Sequence, residues 1–221
     1  PISKQFNFMN RWKYETPEFE FQIGFKLLYE DRKGGQMSYI TDNDTSKYYG
    51  IDINQNKYEV FMKIGAPLDY ILDDFSFGST FLLAKNNFNS IYGKNFVNAI
   101  ENKFYGNVIF EKHIFNEKNK LNFGANLNFE YIDLLAKALK SNINSSAFNY
   151  SSFGNSYFVF YAQYNFTSYK FSAILSYRYD NLIFYNENYF HSFRLHLRYK
   201  VAKHTTIRAS AGNGLNKYYP F

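Results

Sequence analysis

Cationic side chains recur at every second position near the carboxyl-terminal part of the chain, where residues 194–200 carry Arg, His, Arg and Lys in alternation with apolar residues. Residues two apart in an extended strand project from the same face. A strand face that carries several cationic side chains attracts anionic ligands such as ferric siderophores, phosphorylated compounds or acidic glycans. The predicted ligand-binding residues are Arg178, Arg194, His196, Arg198 and Arg208. The alternative is that these cations pair with carboxylates of the same face, such as Asp180.

Catalysis and metal binding have little support in the sequence. Cysteine is absent, and the four histidines include His196, which has an Arg two residues away on each side. Neighbouring cations favour the neutral imidazole, and no acidic residue close in sequence would orient it as a base. Residues 41–44 offer two carboxylates and an amide for Ca²⁺, without the Gly and terminal Glu of an EF-hand loop. We therefore predict no catalytic residue, no metal site and no cofactor.

The elements that carry these residues alternate strictly between apolar and polar positions. From Phe19 to Tyr29 every odd-numbered residue is apolar, and Glu20, Gln22 and Lys26 are among the residues between them. A strand sorts these residues onto two faces, whereas a helix scatters them. The span matches the ~9–11 residues with which a tilted strand crosses a bilayer. Similar stripes occupy residues 6–14, 58–65, 121–131, 158–166, 171–180, 193–201 and 205–212, with less regular strands at 76–92 and 104–115.

Composition favours a membrane barrel over a soluble sandwich. Aromatic residues make up 22% of the chain, yet the mean hydropathy is −0.44, so apolar and polar residues are interleaved. There is no apolar run of the ~18 residues that a membrane-spanning helix needs. Aromatic residues at the ends of several stripes resemble the girdles that meet lipid headgroups. We predict an all-β, antiparallel transmembrane β-barrel region of about ten strands, forming a partial or small barrel over residues 1–221, in the bacterial outer membrane and in contact with its lipid.

The connections are predicted to alternate between short and long, as in outer-membrane barrels. Tight turns are expected at residues 15–18, 116–119 and 167–169, and long loops at 31–57, 93–103 and 135–157. Residues 132–140 have helical spacing and are predicted to form a short helix in a loop. The net charge of +6 is spread along the chain without a basic cluster, so no nucleic-acid partner is expected.

Three motifs resemble TonB-dependent outer-membrane receptors. Residues 11–14 read Arg-Trp-Lys-Tyr, and residues 24–36 end in Glu-Asp-Arg-Lys-Gly-Gly-Gln, as in an early barrel strand and its loop. Residues 176–180, Ser-Tyr-Arg-Tyr-Asp, resemble a recurrent strand of the family, and 194–200 with 205–212 resemble the pair that follows. The chain departs from the family at Leu215 and Asn216, where Phe-Arg is usual.

The resemblance implies a 22-stranded barrel with an internal plug, energised by a TonB-type complex. No plug segment is recognised, and about half the strands are present. Together with the start at Pro1, this suggests a mature product or fragment, with a partner chain completing the barrel or a small barrel closing alone. The expected function is import of a scarce nutrient of the siderophore, cobalamin, glycan or peptide class. The alternatives are a structural or interaction barrel or passive pore within a larger outer-membrane assembly, and a small outer-membrane enzyme.

Overall fold

A computed structural model describes residues 2–42, 47–138, 147–154, 156–182 and 189–214. It contains one short helix, α1 (Met37–Asp42), and no helix of these residues has the length and apolar character to cross a membrane. The other elements are strands that form one antiparallel sheet. They are β1 Ile2–Thr16, β2 Phe19–Gly35, β3 Gly50–Pro67, β4 Phe75–Tyr92, β5 Asn95–His113, β6 Asn119–Ala138, β7 Ala147–Gly154, β8 Tyr157–Thr167, β9 Phe171–Leu182, β10 Tyr189–Ala202 and β11 Thr205–Gly212. The predicted all-β antiparallel class is confirmed.

Each strand pairs with its neighbours in chain order, as in an up-and-down barrel wall. The exception is at β6, whose first part pairs with β8 and whose last part pairs with β7. The short hairpin of β6 and β7 therefore extends beyond the end of β8. In the part of the chain that the structure describes, β1 and β11 lie at the two edges, and the sheet is open.

Tight turns join one end of the strands, and the three predicted from the sequence are confirmed. Between β1 and β2, only Pro17 and Glu18 lie outside the strands. The connections between β5 and β6 and between β8 and β9 are short in the same way. Pro17 suits its turn because Pro has no N–H, and a residue between the two strands need not donate a strand hydrogen bond.

The long loop predicted at residues 93–103 is wrong. Gly93 and Lys94 alone connect β4 to β5, and Tyr92 is directly opposite Asn95. Gly93 has φ +58°, which fits the first central position of a type II′ turn. This turn twists in the sense that the two strands require. The sequence concealed the turn because the start of β5 carries apolar residues on both faces, among them Phe96 and Val97.

The helix predicted at residues 132–140 is also wrong where the structure describes it, because β6 continues as a strand to Ala138. The long loop at 31–57 is shorter than predicted, since β2 extends to Gly35 and β3 begins at Gly50. The loop at 135–157 contains the strand β7. Residues 139–146 lie outside the described residues.

The two faces of the sheet have an inverted pattern of burial. The apolar stripes lie on one face, here called the apolar face, and many of their side chains are exposed, including Trp12, Leu83 and Phe160. The opposite, polar face holds buried Asn128, Asp180 and other polar groups. Only Tyr39 and Val159 are fully buried hydrophobic residues within the described ranges. A water-soluble sheet would bury its apolar face; this sheet presents it outward, as a membrane barrel does.

Strands β2 to β6 are longer than a bilayer requires. They contain 17 to 20 residues, compared with the ~9–11 that cross a membrane. The apolar face becomes polar beyond Tyr58 in β3 and Lys85 in β4, where it carries residues such as Asn54 and Asn89. The opposite side there carries Ile53 and other apolar residues. The extra length therefore forms a sheet with water-facing outer side chains.

Candidate ligand-binding face

The strand register places all five predicted ligand-binding residues on the polar face. Arg198 is directly opposite Arg208, and His196 is opposite Ser210. Arg194 is opposite Ser176, while Arg178 is opposite Ser192, one pair further along the same two strands. Since directly opposed residues project from the same face, strands β9, β10 and β11 together present one surface. The shared face that alternation predicted is confirmed.

Arg178 is the member of this set with a carboxylate partner. Its Nε and Nη2 donate hydrogen bonds of 2.8 and 2.6 Å to the two oxygens of Asp180, which lies two residues away on the same strand. The Asp180 side chain is 3% exposed, whereas that of Arg178 is 45% exposed. The bidentate geometry is the strong form of an Arg–carboxylate pair. It neutralises Asp180 and leaves one edge of the guanidinium toward solvent.

The remaining cations of this wall are not neutralised by the described residues. No carboxylate there forms an ion pair with Arg194, Arg198 or Arg208. Lys200 places its Nζ 5.4 Å from the centre of the Tyr169 ring. Arg198 and Arg208 are adjacent like charges, which is unfavourable unless solvent or an anion lies between them. The wall is thus electropositive by its own composition.

The opposite half of the polar face is balanced. Lys57 Nζ lies 3.0 Å from Glu59, and Lys120 Nζ lies 2.5 Å from Glu111. Lys103 Nζ approaches Glu130 to 4.0 Å. These pairs are on β3, β5 and β6, far along the sheet from β10. This part of the polar face thus carries carboxylates beside its cations, whereas β10 and β11 carry cations and no carboxylate on it.

Two shallow clefts flank the middle of β10 and share Arg194 and His196 as lining residues. One has a volume of about 330 Å³ and is also lined by Tyr161, Gln163 and Arg178. The other, of about 470 Å³, is bounded by the end of β11. In a cleft, several cationic groups surround a bound anion, so the electric potential there is stronger than above a flat sheet. Arg194 and His196 are the two cationic or titratable residues that both clefts have in common.

Asn213 holds the end of the second cleft in place. Its side-chain oxygen accepts a hydrogen bond of 2.7 Å from the Phe193 N–H, and its side-chain nitrogen donates one of 3.1 Å to the His191 carbonyl. The amide thereby continues the backbone pairing of β10 after β11 has ended. Gly214 follows at 3.5 Å from the guanidinium of Arg194, measured from the position of an added Cβ. Alternation could not reveal this contact because Asn213 lies outside a strand.

A second arrangement on the polar face was not found from the sequence. Tyr161 on β8 crosses Gly124 on β6, and its hydroxyl donates a hydrogen bond of 3.0 Å to Asn107 Oδ1 on β5. A Cβ at Gly124 would lie 2.7 Å from that hydroxyl. Nearby, the side-chain oxygens of Asn122 and Asn126 are buried without a partner. The only sequence signal is a glycine opposite an aromatic residue, which needs the register to be recognised.

The histidines do not assemble a catalytic or metal centre in the described residues. His196 is opposite Ser210 and Ile174. His191 is on the apolar face, where its Nδ1 lies 2.8 Å from the Tyr177 hydroxyl. No group of three metal-ligating side chains occurs among the residues that the structure describes. Of the calcium candidate at residues 41–44, Asn43 and Asp44 lie outside the described residues.

Neither a protein-family model nor a curated protein sequence matches the chain. Several solved structures do match it, and they show that its sheet has the fold of part of a β-barrel. The siderophore receptor PiuA from Acinetobacter baumannii matches 94% of this chain with a TM-score of 0.68 and 13% identity. The alcaligin outer-membrane receptor FauA from Bordetella pertussis matches 94% with 0.67 and 9%. The ferric citrate transporter FecA, in its unliganded form, matches 95% with 0.65 and 11%.

These matches confirm the resemblance to TonB-dependent receptors at the level of the fold. The chain spans about a third to two fifths of the solved proteins, 41% of PiuA, 36% of FecA and 35% of FauA. In outer-membrane barrels the apolar side chains face lipid and the polar ones face the interior, which is the same alternation that this sheet shows. By their names, the three solved proteins given above are two receptors and a transporter.

Proposed function

We propose that this chain forms part of the barrel wall of a receptor that imports a scarce nutrient across the bacterial outer membrane. The observation that carries the proposal is the inverted burial of the sheet, with exposed rings such as Trp12 and Phe160 on one face and buried Asp180 on the other. A surface of this kind is stable only against hydrocarbon. Transport, and no enzymatic reaction, suits a polar wall whose histidines lack an acidic partner in the described residues.

The substrate proposed for this wall is an anionic solute, held by Arg194, His196, Arg198 and Arg208, with Arg178 at one end. Unpaired cations of one strand pair and two clefts that share Arg194 and His196 support this. A ferric siderophore or ferric citrate is the class that agrees with the names of the solved neighbours. Uniform positive charge selects by sign, so several anions of similar size would bind.

The partners proposed are outer-membrane lipid, further strands that complete the barrel and a TonB-type energising complex. The backbone groups along the free edges of β1 and β11 face no strand in the described residues. In lipid each unsatisfied group costs several kcal/mol, so both edges require pairing. A structural or passive-pore role within a larger assembly is the second candidate, favoured by the open sheet, whose edges would pair with other members of that assembly.

The test is binding of ferric citrate to the full chain purified in detergent, measured by calorimetry. We expect the double variant Arg194→Gln/Arg198→Gln to bind about tenfold more weakly, since each cation contributes up to ~1 kcal/mol when partly exposed. The matched control is Lys57→Gln/Lys63→Gln, which removes the same charge from β3 on the same face. Equal weakening in the control would show that net charge, and not this wall, attracts the anion. Unchanged binding in the first variant would reject the site.

A further inference from the structure

Four residues on the apolar face form a straight row across β3, β4, β5 and β6. Tyr58 is directly opposite Lys85, Lys85 is opposite Asn102, and Asn102 is opposite Tyr131. All four side chains are exposed. We call them the interfacial row. Tyr at both ends and a cation and an amide between them is the composition expected where lipid headgroups meet a protein.

The rows on either side of the interfacial row differ sharply in polarity. On the side toward the β3–β4 and β5–β6 connections lies the acyl row, which comprises Val60, Leu83, Phe104 and Phe129. On the other side lie Asn56, Asn87, Ile100 and Asp133 in the same order. The polarity thus changes within one residue pair on β3, β4 and β6, whereas β5 carries Ile100 in the outer row. This places the hydrocarbon boundary at the interfacial row.

The interfacial row and the acyl row together line a groove of about 570 Å³. Leu83 and Val60 are 58% and 46% exposed on its floor. In the described residues no carboxylate forms an ion pair with Lys85. An unpaired ammonium directly above an apolar floor matches an amphiphile that carries a negative headgroup.

We propose that this groove binds an anionic, phosphate-bearing membrane lipid, with its phosphate on Lys85 and the Asn102 amide and its acyl chains along the acyl row. The proposal rests on the membrane location given under Proposed function. A phosphate accepts hydrogen bonds from both Lys85 Nζ and Asn102 Nδ2, while Tyr58 and Tyr131 flank the headgroup. A neutral or zwitterionic lipid would satisfy the acyl row and leave Lys85 without net attraction.

The test is native mass spectrometry of the full chain in neutral detergent with added phosphatidylglycerol or phosphatidylcholine. We expect phosphatidylglycerol to be retained preferentially, and Lys85→Gln to weaken its retention about fivefold, since one Lys near a membrane surface is worth about a factor of five. Lys85→Arg should keep the preference. The matched control is Lys63→Gln on β3, which removes the same charge from the opposite face and should behave as the unchanged protein. Leu83→Ala should weaken both lipids alike.

Equal retention of the two lipids by the unchanged protein would overturn the proposal, as would full retention of phosphatidylglycerol by Lys85→Gln. A photo-crosslinking residue at Phe129 that captures a protein segment instead of lipid in intact membranes would also overturn it. If the chain does not enter detergent micelles at all, the membrane location itself fails. That result is distinct from a chain that enters micelles and does not discriminate between lipids.

Discussion

The guanidinium of Arg178 and the carboxylate of Asp180 face each other from alternate positions of β9, joined by hydrogen bonds of 2.8 and 2.6 Å. The two partners differ in solvent access, because the carboxylate is 3% exposed and the guanidinium 45%. Removing either partner therefore has a different consequence. A carboxylate left alone stays buried, whereas a guanidinium left alone can be hydrated.

We therefore expect Arg178→Gln to destabilise the folded protein more than Asp180→Asn does. Isolating a buried charge costs about 3 kcal/mol, whereas a half-exposed Arg that loses its partner should cost about 1 kcal/mol. The measurement is the free energy of unfolding in urea with detergent present. The double variant Arg178→Gln/Asp180→Asn, which buries no charge, should recover part of the loss. Equal losses in the two single variants would show that Asp180 is hydrated.

Tyr161, lying across Gly124, is expected to contribute through its hydroxyl as well as its ring. Tyr161→Phe removes the hydrogen bond to Asn107 and should cost about 1 kcal/mol of unfolding free energy. Gly124→Ala should cost more, because its Cβ would lie 2.1 Å from the Val108 carbonyl oxygen and 2.7 Å from the Tyr161 hydroxyl. Both losses are measured by urea unfolding. If Gly124→Ala is neutral, the ring does not pack on the glycine.

The β4–β5 hairpin is expected to depend on the backbone conformation of Gly93. Its φ of +58° disfavours any side chain, and an added Cβ would lie 2.9 Å from the Tyr49 ring. Gly93→Ala should lower the free energy of unfolding by about 1–2 kcal/mol. Gly65→Ala is the matched control, since its nearest neighbour to an added Cβ lies at 3.7 Å. A similarly small change in the free energy of unfolding for both variants would contradict the assigned turn type.

The edges of the sheet are expected to become protected when the barrel is completed. In the isolated chain, the backbone amides of β1 and β11 that point away from the sheet should exchange with deuterium within the mixing time. Amides of central β5 should exchange slowly, because both of its edges are paired. Hydrogen exchange with mass spectrometry, on the chain alone and in native outer membranes, measures this. Protection of both edges in the isolated chain would instead indicate a small barrel closed by itself.

Period-two alternation predicted most strands because it reports a sheet with lipid on one face and polar groups on the other. It failed at residues 132–138 and near residue 96, where β5 and β6 extend beyond the hydrocarbon boundary. There neither face is required to be apolar throughout, so apolar residues such as Leu134 and Leu135 occur on both faces, and their spacing resembles a helix. Alternation is no longer expected where the two faces of the sheet no longer differ in their surroundings.

The candidate ligand-binding face was predictable in part for the same reason. Alternation alone places Arg194, His196 and Arg198 on one face, but it cannot say which residues of other strands lie opposite. The adjacency of Arg198 and Arg208 depends on the β10–β11 register, and that register depends on the turn. Pairing with a carboxylate of the same face, the alternative for the whole set, applies to one of its members, Arg178.

The order of charges along β9 and β10 has a consequence for how an anion would travel. Arg178, already neutralised, lies toward the end where the long strands project, and Arg194, His196, Arg198 and Lys200 follow toward the tight turns. Adjacent members of this series are two strand residues apart, about 7 Å. Ionic screening acts over ~8 Å at physiological salt. An anion moving along this face would thus be attracted by the next cationic side chain before it leaves the previous one. It would pass along the row in short steps and would not be held tightly at a single position.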